Sequence, residues 1–321
     1  MNARSTDRLA LNRTELAPGR PRLIRWCALV VGALMATACS GTASRVALTP
    51  VTPAPTGVHH TGQFVWYDLV TDDPEAAKSF YGDLFGWTFE DVLGDDIVYT
   101  VAHQAGVPVG GIAPIEDADV NVSSARWLSM LSVEDVDAAT EAVVQAGGTV
   151  LLEPRDNVTR GRLALVADPQ GAVVAFVRAL GGDPPNRDAS DLVNGAWMWT
   201  ELWARDANAA IGFYGSLVGY ETETTDLAES ADYRVFTRDG RPRAGVNQLP
   251  WAEVQPNWLP YIKVQDPAAV ARRAEQLGGT VLIPPLPEVR NGSFGVITDP
   301  TGAAFAIQRW PINSSGRGDS R

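Results

Sequence analysis

The chain has 321 residues, 26 basic and 38 acidic side chains, a net charge of −12 and 45% hydrophobic residues. Its length predicts about two domains, and its composition supports a sizeable core, which excludes disorder as the general state. The acidic balance excludes a nucleic-acid partner, since no basic surface would neutralise phosphates, and 3 histidines with 2 cysteines exclude a disulfide scaffold or a zinc–cysteine cluster.

The charge is unevenly placed. Residues 1–38 hold six arginines and two acids, so the remainder carries 20 basic and 36 acidic residues, a net −16. Arg20, Arg22 and Arg25 precede a 13-residue apolar run, Trp26 to Ala38, that ends in Ala36-Thr37-Ala38-Cys39. A basic leader, an apolar centre and small residues at the junction predict a secretory signal peptide over 1–38. The run is too short to span a bilayer, which takes about 20 apolar residues. Small residues directly before Cys39 resemble a bacterial lipobox. That resemblance implies a lipid on Cys39 and a protein anchored to the extracytoplasmic face of the cell membrane. Residues 39–61 are rich in Thr, Pro and Ala without periodicity and predict an extended tether, with His59-His60 as a solvated pair at its end.

From residue 62 the chain repeats itself at an offset of 131–133 residues. Phe80-Tyr81-Gly82 recurs as Phe213-Tyr214-Gly215, and Gln145-Ala-Gly-Gly-Thr-Val150 as Gln276-Leu-Gly-Gly-Thr-Val281. Asp168-Pro-Gln-Gly171 recurs as Asp299-Pro-Thr-Gly302. Matches at one offset define a tandem repeat: a first domain over 62–180, a Gly/Pro/Asp-rich linker over 181–194, a second domain over 195–310 and a polar, disordered tail over 311–321.

Each copy divides again. Gln63–Thr71 alternates like a strand, Asp73–Phe85 has helical spacing with Ala76, Phe80, Tyr81 and Leu84 on one face, and three short strand-like runs follow. Trp127–Val133, a helix at Asp135–Gln145 closed by Gly147-Gly148, and three more strands repeat the order. Helices near Asp206–Leu217 and Pro267–Gln276 mark the second copy. The expected fold is α+β: four βαβββ units forming two cup-shaped domains. Whether the units pair within or across copies is left open.

This order, together with the segments Asp73–Trp87 and Asp206–Tyr220, the Gly-Gly-Thr-Val turns and the Asp-Pro-x-Gly turns, resembles the vicinal oxygen chelate superfamily of glyoxalases, bleomycin-resistance proteins and extradiol dioxygenases. The resemblance implies cups with helices outside and, in catalytic members, one divalent metal held by His, Glu or Gln from both halves. Carried over residue by residue, the first ligand position falls on Trp66 and Trp199, the second-half position on Leu128 and Leu259, and the last on Ala175 and Ala306. The fourth-strand segments Val107–Ile115 and Ala244–Leu249 contain no carboxylate or histidine. Indole and aliphatic groups offer a hard cation no lone pair. The sequence therefore predicts no metal and no cofactor, and the family's metal-dependent activity does not transfer with the fold.

Alternation places Trp66 with Asp68 on one face, and Trp197, Trp199, Glu201 and Trp203 on one face in the second copy. Asp68 and Glu201 correspond under the repeat, as do Tyr99 and Tyr233; His103 has no counterpart, since Thr237 stands there. An aromatic wall with one acid suits a small apolar or aromatic molecule, and the expected ligand-binding set is Trp66, Asp68, Tyr99, His103, Trp199, Glu201, Trp203 and Tyr233. Two other readings stand beside it. In one, the protein is a lyase- or hydroxylase-type enzyme that uses Asp68 or Glu201 as a catalytic acid–base, or an atypical metal site. In the other, the tryptophans fill solid cups and the acids pair with arginines, Arg234 and Arg243 being the candidates for Glu201.

Overall fold

The computed structural model describes residues 47–93, 98–115, 125–224, 233–249, 251, 254–288 and 290–311. The predicted signal, Cys39 and nearly all of the tail lie outside the described residues.

The first copy runs β1 (Phe64–Thr71), α1 (Pro74–Phe85), β2 (Thr88–Leu93), β3 (Val98–Gln104), β4 (Val107–Pro114), β5 (Arg126–Ser132), α2 (Val136–Gln145), β6 (Thr149–Asn157), β7 (Gly161–Ala167) and β8 (Val173–Ala179). The second runs β9 (Trp197–Ala204), α3 (Ala207–Val218), β10 (Glu221–Thr224), β11 (Arg234–Arg238), β12 (Arg241–Gln248), β13 (Asn257–Val264), α4 (Pro267–Gln276), β14 (Thr280–Ile283), β15 (Phe294–Thr298) and β16 (Ala304–Arg309). Local chemistry fixes the helix starts. Asp73, Asp135, Asp206 and Asp266 each cap a helix by accepting the N–H three residues on, at 2.9–3.1 Å. Gly86 and Gly219, at φ +72° and +67°, end α1 and α3 in the left-handed conformation that glycine tolerates. On α1 the buried face is Ala77, Phe80 and Tyr81, so Ala77 rather than Ala76 completes the stripe.

Each copy forms its own eight-stranded sheet, in the order β2-β3-β4-β1-β5-β8-β7-β6 and β10-β11-β12-β9-β13-β16-β15-β14. Within every unit the first strand lies parallel to the fourth, and the first strands of the two units meet antiparallel at the sheet centre. The units therefore pair within a copy. The faces carrying the helices meet. One shared core joins Val136, Val143 and Phe176 of the first copy to Tyr214, Phe236 and Trp258 of the second, and another joins Phe80, Tyr81 and Trp127 to Ile262, Ala274 and Phe305. The opposite faces hold separate apolar clusters, each drawn from one domain, and these are the cup interiors.

The repeated motifs latch the two domains. Tyr81 on α1 donates to Oδ2 of Asp299 at 3.0 Å, and Tyr214 on α3 donates to Oδ2 of Asp168 at 3.0 Å. Trp127 and Trp258 donate in turn to those two hydroxyls, at 2.7 and 2.8 Å. Burial pushes both tyrosines well above their ordinary pKa, so each hydroxyl keeps the proton it donates. The Asp of each turn also accepts two backbone N–H groups of its own turn.

Two connecting stretches are more ordered than their composition predicts. The described part of the expected tether, 47–61, is docked: Val51 is buried in the first cup, and Thr56 N–H donates to Gly181 O at 2.8 Å. In the linker, the fully buried Asp183 accepts His60 N–H and the Ser132 hydroxyl, both at 2.6 Å. Leu48 and Val51 bury apolar surface and the backbone finds partners, which outweighs the flexibility the composition suggested.

Candidate functional site

In both cups an acid from the central strand meets a tyrosine and an arginine, and a tryptophan N–H donates into the same group. Asp68 on β1 accepts Trp66 Nε1–H at 2.7 Å and the Tyr99 hydroxyl at 2.6 Å on Oδ1, and Arg160 Nη1–H at 2.7 Å on Oδ2. Arg160 also donates to Tyr99 Oη at 2.7 Å and to Thr49 O at 2.8 Å, and its guanidinium lies 4.9 Å from the centre of the Trp66 ring. It is fully buried. Desolvation opposes its charge, but the Asp68 carboxylate and the Tyr99 hydroxyl together outweigh that and hold its pKa above the usual value. The strap carrying Leu48 and Val51 closes over this group, and Thr159 donates to Leu48 O.

The second cup repeats the pattern with different spacing. Glu201 on β9 is 1% exposed and accepts the Tyr233 hydroxyl at 2.9 Å, the Tyr261 hydroxyl, and Arg290 Nη2–H at 3.1 Å on both oxygens. Trp199 Nε1 donates to Tyr233 Oη at 3.2 Å. Arg290 lies over Phe294 at 4.6 Å, and burial again opposes a charge that Glu201 sustains. Trp203 is half-buried and stacked on the exposed Trp251, ring centres 6.0 Å apart at 16°.

Two glycines make room for these acids. Gly111 pairs with Asp68, and Gly245 with Glu201. A Cβ on Gly111 would sit 1.8 Å from Tyr99 Oη, and one on Gly245 2.5 Å from Tyr233 Oη. They occupy the fourth strand of each first unit, where the family places a ligand.

Trp66, Asp68 and Tyr99 come together in the first cup, and Trp199, Glu201 and Tyr233 in the second; alternation points to the tryptophans and acids, and correspondence under the repeat to the tyrosines. His103 does not join them. It stands half-buried at the end of β3, beyond an irregularity in the β3–β4 register, with no hydrogen bond to Asp68 or Tyr99. Trp197 leaves the expected face. Trp199 pairs with Tyr261 and Trp197 with Ile262, a one-residue bulge that turns Trp197 into the inter-domain core beside Tyr67, Trp87 and Trp127. The guanidinium reaching Glu201 is Arg290, from the loop between β14 and β15. Arg234 Nη1 donates to Tyr233 O at 3.1 Å, and Arg243 to Asn186 Oδ1 at 2.7 Å. Sequence reasoning passed over Arg160 and Arg290. Their signal is an arginine just before a glycine or Asn-Gly, in the corresponding loop of each copy.

Residues 57–176 match the Glyoxalase/Bleomycin resistance protein/Dioxygenase superfamily, and residues 199–308 match a glyoxalase-like domain. A Mycobacterium tuberculosis protein named as a glyoxylase, CFP32, is 34% identical over 247 residues, 75% of this chain and 92% of the relative. The chain belongs to the glyoxalase/bleomycin resistance/dioxygenase superfamily. The anthracycline biosynthesis protein DnrV of Streptomyces peucetius is 32% identical over 260 residues, 77% of this chain and 92% of that one. In fold, the chain resembles the Mn(II)-bound glyoxalase of Novosphingobium aromaticivorans, with a TM-score of 0.52 and 15% identity over 78% of this chain and 83% of the other. A variant of homoprotocatechuate 2,3-dioxygenase from B. fuscum gives 0.50 and 16% identity over 82% and 73%.

A metal centre of this superfamily needs three or four convergent donors. The corresponding positions do converge here: Leu128 pairs with Asp68, Ala175 lies one pairing further on Met130, and Leu259 and Ala306 repeat this around Glu201 and Tyr261. They carry indole, isobutyl and methyl groups. No cluster of three or more His, Cys, Asp or Glu side chains occurs among the described residues. The one acid in each cup is already held by an arginine and by hydroxyl or indole donors. The residues do not fit a chelated metal.

Proposed function

We propose that this superfamily member works without a chelated metal, as a binding protein for a small apolar or aromatic molecule, held at the extracytoplasmic face of a membrane by a lipid on Cys39. The observation that carries the binding reading is the replacement, in both cups, of the converging chelate positions by Trp66, Leu128 and Ala175 and by Trp199, Leu259 and Ala306, with the remaining acid neutralised by Arg160 or Arg290. A carboxylate whose oxygens are already engaged by a guanidinium and by hydroxyl or indole donors is poorly placed to take a proton from a substrate. Native mass spectrometry of the mature protein purified from its own host tests the reading. A co-purifying organic mass supports it. Turnover of such a molecule that Glu201→Gln abolishes without unfolding the protein contradicts it.

A further inference from the structure

A cleft of about 520 Å³ lies between the two domains, lined by residues of both and reaching the edges of the two cup clusters at Trp66 and Trp199. Its walls bring together aromatic rings from the starts of β1 and β9. Trp66 and Trp199, the residues standing at the two first-ligand positions, both border it, with Met198 and the bulged Trp197 between them. The strap at Val51–Ala54 and the linker at Pro184–Arg187 close its sides. Its volume falls within the usual range for small-molecule sites, about 300–1,000 Å³.

The polar group in this cleft is an unusual one. Arg243 is 8% exposed, yet no carboxylate lies within ion-pair distance of it among the described residues. Its Nη1 donates to two neutral oxygens, Asn186 Oδ1 at 2.7 Å and Gln63 Oε1 at 3.3 Å, and its Nε–H is buried without a partner. A buried guanidinium is normally paired, because leaving its charge and N–H groups unsatisfied is costly. In this protein Arg160 and Arg290 obey that rule and Arg243 does not. Asp191, the acid lining the cleft, is exposed and makes no ion pair with it, while Arg187 at the edge adds a second positive charge. Around Arg243, a chain of net charge −12 presents a cation to an aromatic cavity.

We infer that the inter-domain cleft is the ligand site and that it takes a planar aromatic anion, the ring against Trp66 and Trp199 and a carboxylate or phenolate oxygen on Arg243. This rests on the binding function proposed above and adds its place and its charge. The parts of the cups around Asp68 and Glu201 are poor alternatives: the first is closed by the protein's own strap, and the cations in both are already paired with acids.

Isothermal titration calorimetry on the purified full chain in detergent, with 2-naphthoate and the neutral 2-naphthalenemethanol as probes, tests the assignment. The wild type is expected to bind the naphthoate roughly tenfold or more tightly than the alcohol, the effect of a charge-assisted hydrogen bond. Arg243→Gln should abolish that preference and Arg243→Lys should keep part of it, with both variants checked for a native thermal transition. Trp251→Leu, on the exposed ring stacked against Trp203 of the second cup, should change neither affinity. Naphthoate binding that ignores Arg243→Gln but fails in Trp251→Leu overturns the placement and leaves the binding function standing. A wild type that binds neither probe overturns both.

Discussion

Arg160 Nη1 stands 2.7 Å from Oδ2 of Asp68, reaching back from a turn 92 residues later in the chain. The pair adjoins Trp66, the position to which the superfamily resemblance assigns a metal ligand, and its counterpart, Arg290 with Glu201 at 3.1 Å, lies near Trp199 in the second domain. Removing one partner of a buried pair leaves an uncompensated charge. Arg160→Met should therefore cost about 3–5 kcal/mol in urea unfolding. The double variant Asp68→Leu/Arg160→Met should recover most of that loss, because replacing both partners by apolar groups is often neutral. A double variant no better than the single one would show that the pair does more than neutralise itself.

Gly111 gives an independent handle on the same group. Its missing Cβ is what lets the Tyr99 hydroxyl approach Asp68. Gly111→Ala should displace Tyr99 and lower stability by roughly 1–3 kcal/mol, the usual cost of overpacking. Urea midpoints of this variant and of Gly111→Ala/Tyr99→Phe check it, and the second should keep most of the loss, because the added Cβ also lies 2.2 Å from Tyr99 Cζ and 2.5 Å from Asp68 Oδ1.

The latch between domains predicts a symmetric result. Tyr81→Phe and Tyr214→Phe each leave a buried Trp N–H and a carboxylate oxygen without the hydroxyl that joined them. Each should lose about 1–3 kcal/mol in thermal or urea unfolding. Because the two latches share no residue, their effects should add.

Acidification should loosen the docked strap. His59 stands 3.9 Å from Asp183, and burial, followed by the nearby Arg178, holds its pKa below the ordinary 6.5. The unfolded chain therefore takes up this proton more readily than the folded one. The stability from neutral His59 is full above pH 6.5 and declines as the pH falls from there through the lower folded value. Urea midpoints between pH 7.5 and 5 should fall more steeply for the wild type than for His59→Gln. Parallel curves would remove His59 from the account.

The proposed anchor has its own check. Cys39→Ser should move the protein from the membrane fraction to the soluble one, and unchanged fractionation would reject lipidation. With the strap docked from residue 47, eight peptide steps separate it from Cys39, a reach of at most about 28 Å. The domains would thus be held closer to the bilayer than a free tether over 39–61 would hold them.

Much of the fold was legible because its determinants are local. Aspartate caps mark every helix start, alternation marks the strands, and the Phe-Tyr-Gly and Asp-Pro-x-Gly repeats mark the units. What those repeats do was not legible, since Tyr81 and Asp299 are 218 residues apart and sequence identity does not tell a latch from a packing motif. The acids and most of the tryptophans followed from period-two alternation, and the tyrosines from their correspondence under the repeat. Trp197 escaped because a single bulged residue reverses that period. Arg160 and Arg290 escaped because they arrive from loops, where no periodicity tells which way a side chain points. The strap escaped because its composition is that of a spacer, and only the cup shows where Leu48 and Val51 go.

The central claim is that the cups hold a charge pair where a chelated metal would be expected. Metal analysis by native mass spectrometry, on the mature protein equilibrated in turn with Mn(II), Fe(II), Ni(II) and Zn(II), measures it directly. The account predicts the mass of the metal-free chain with all four, in the wild type and in Glu201→Gln alike. One divalent ion per chain, retained through buffer exchange and lost in Asp68→Asn or Glu201→Gln, would contradict it.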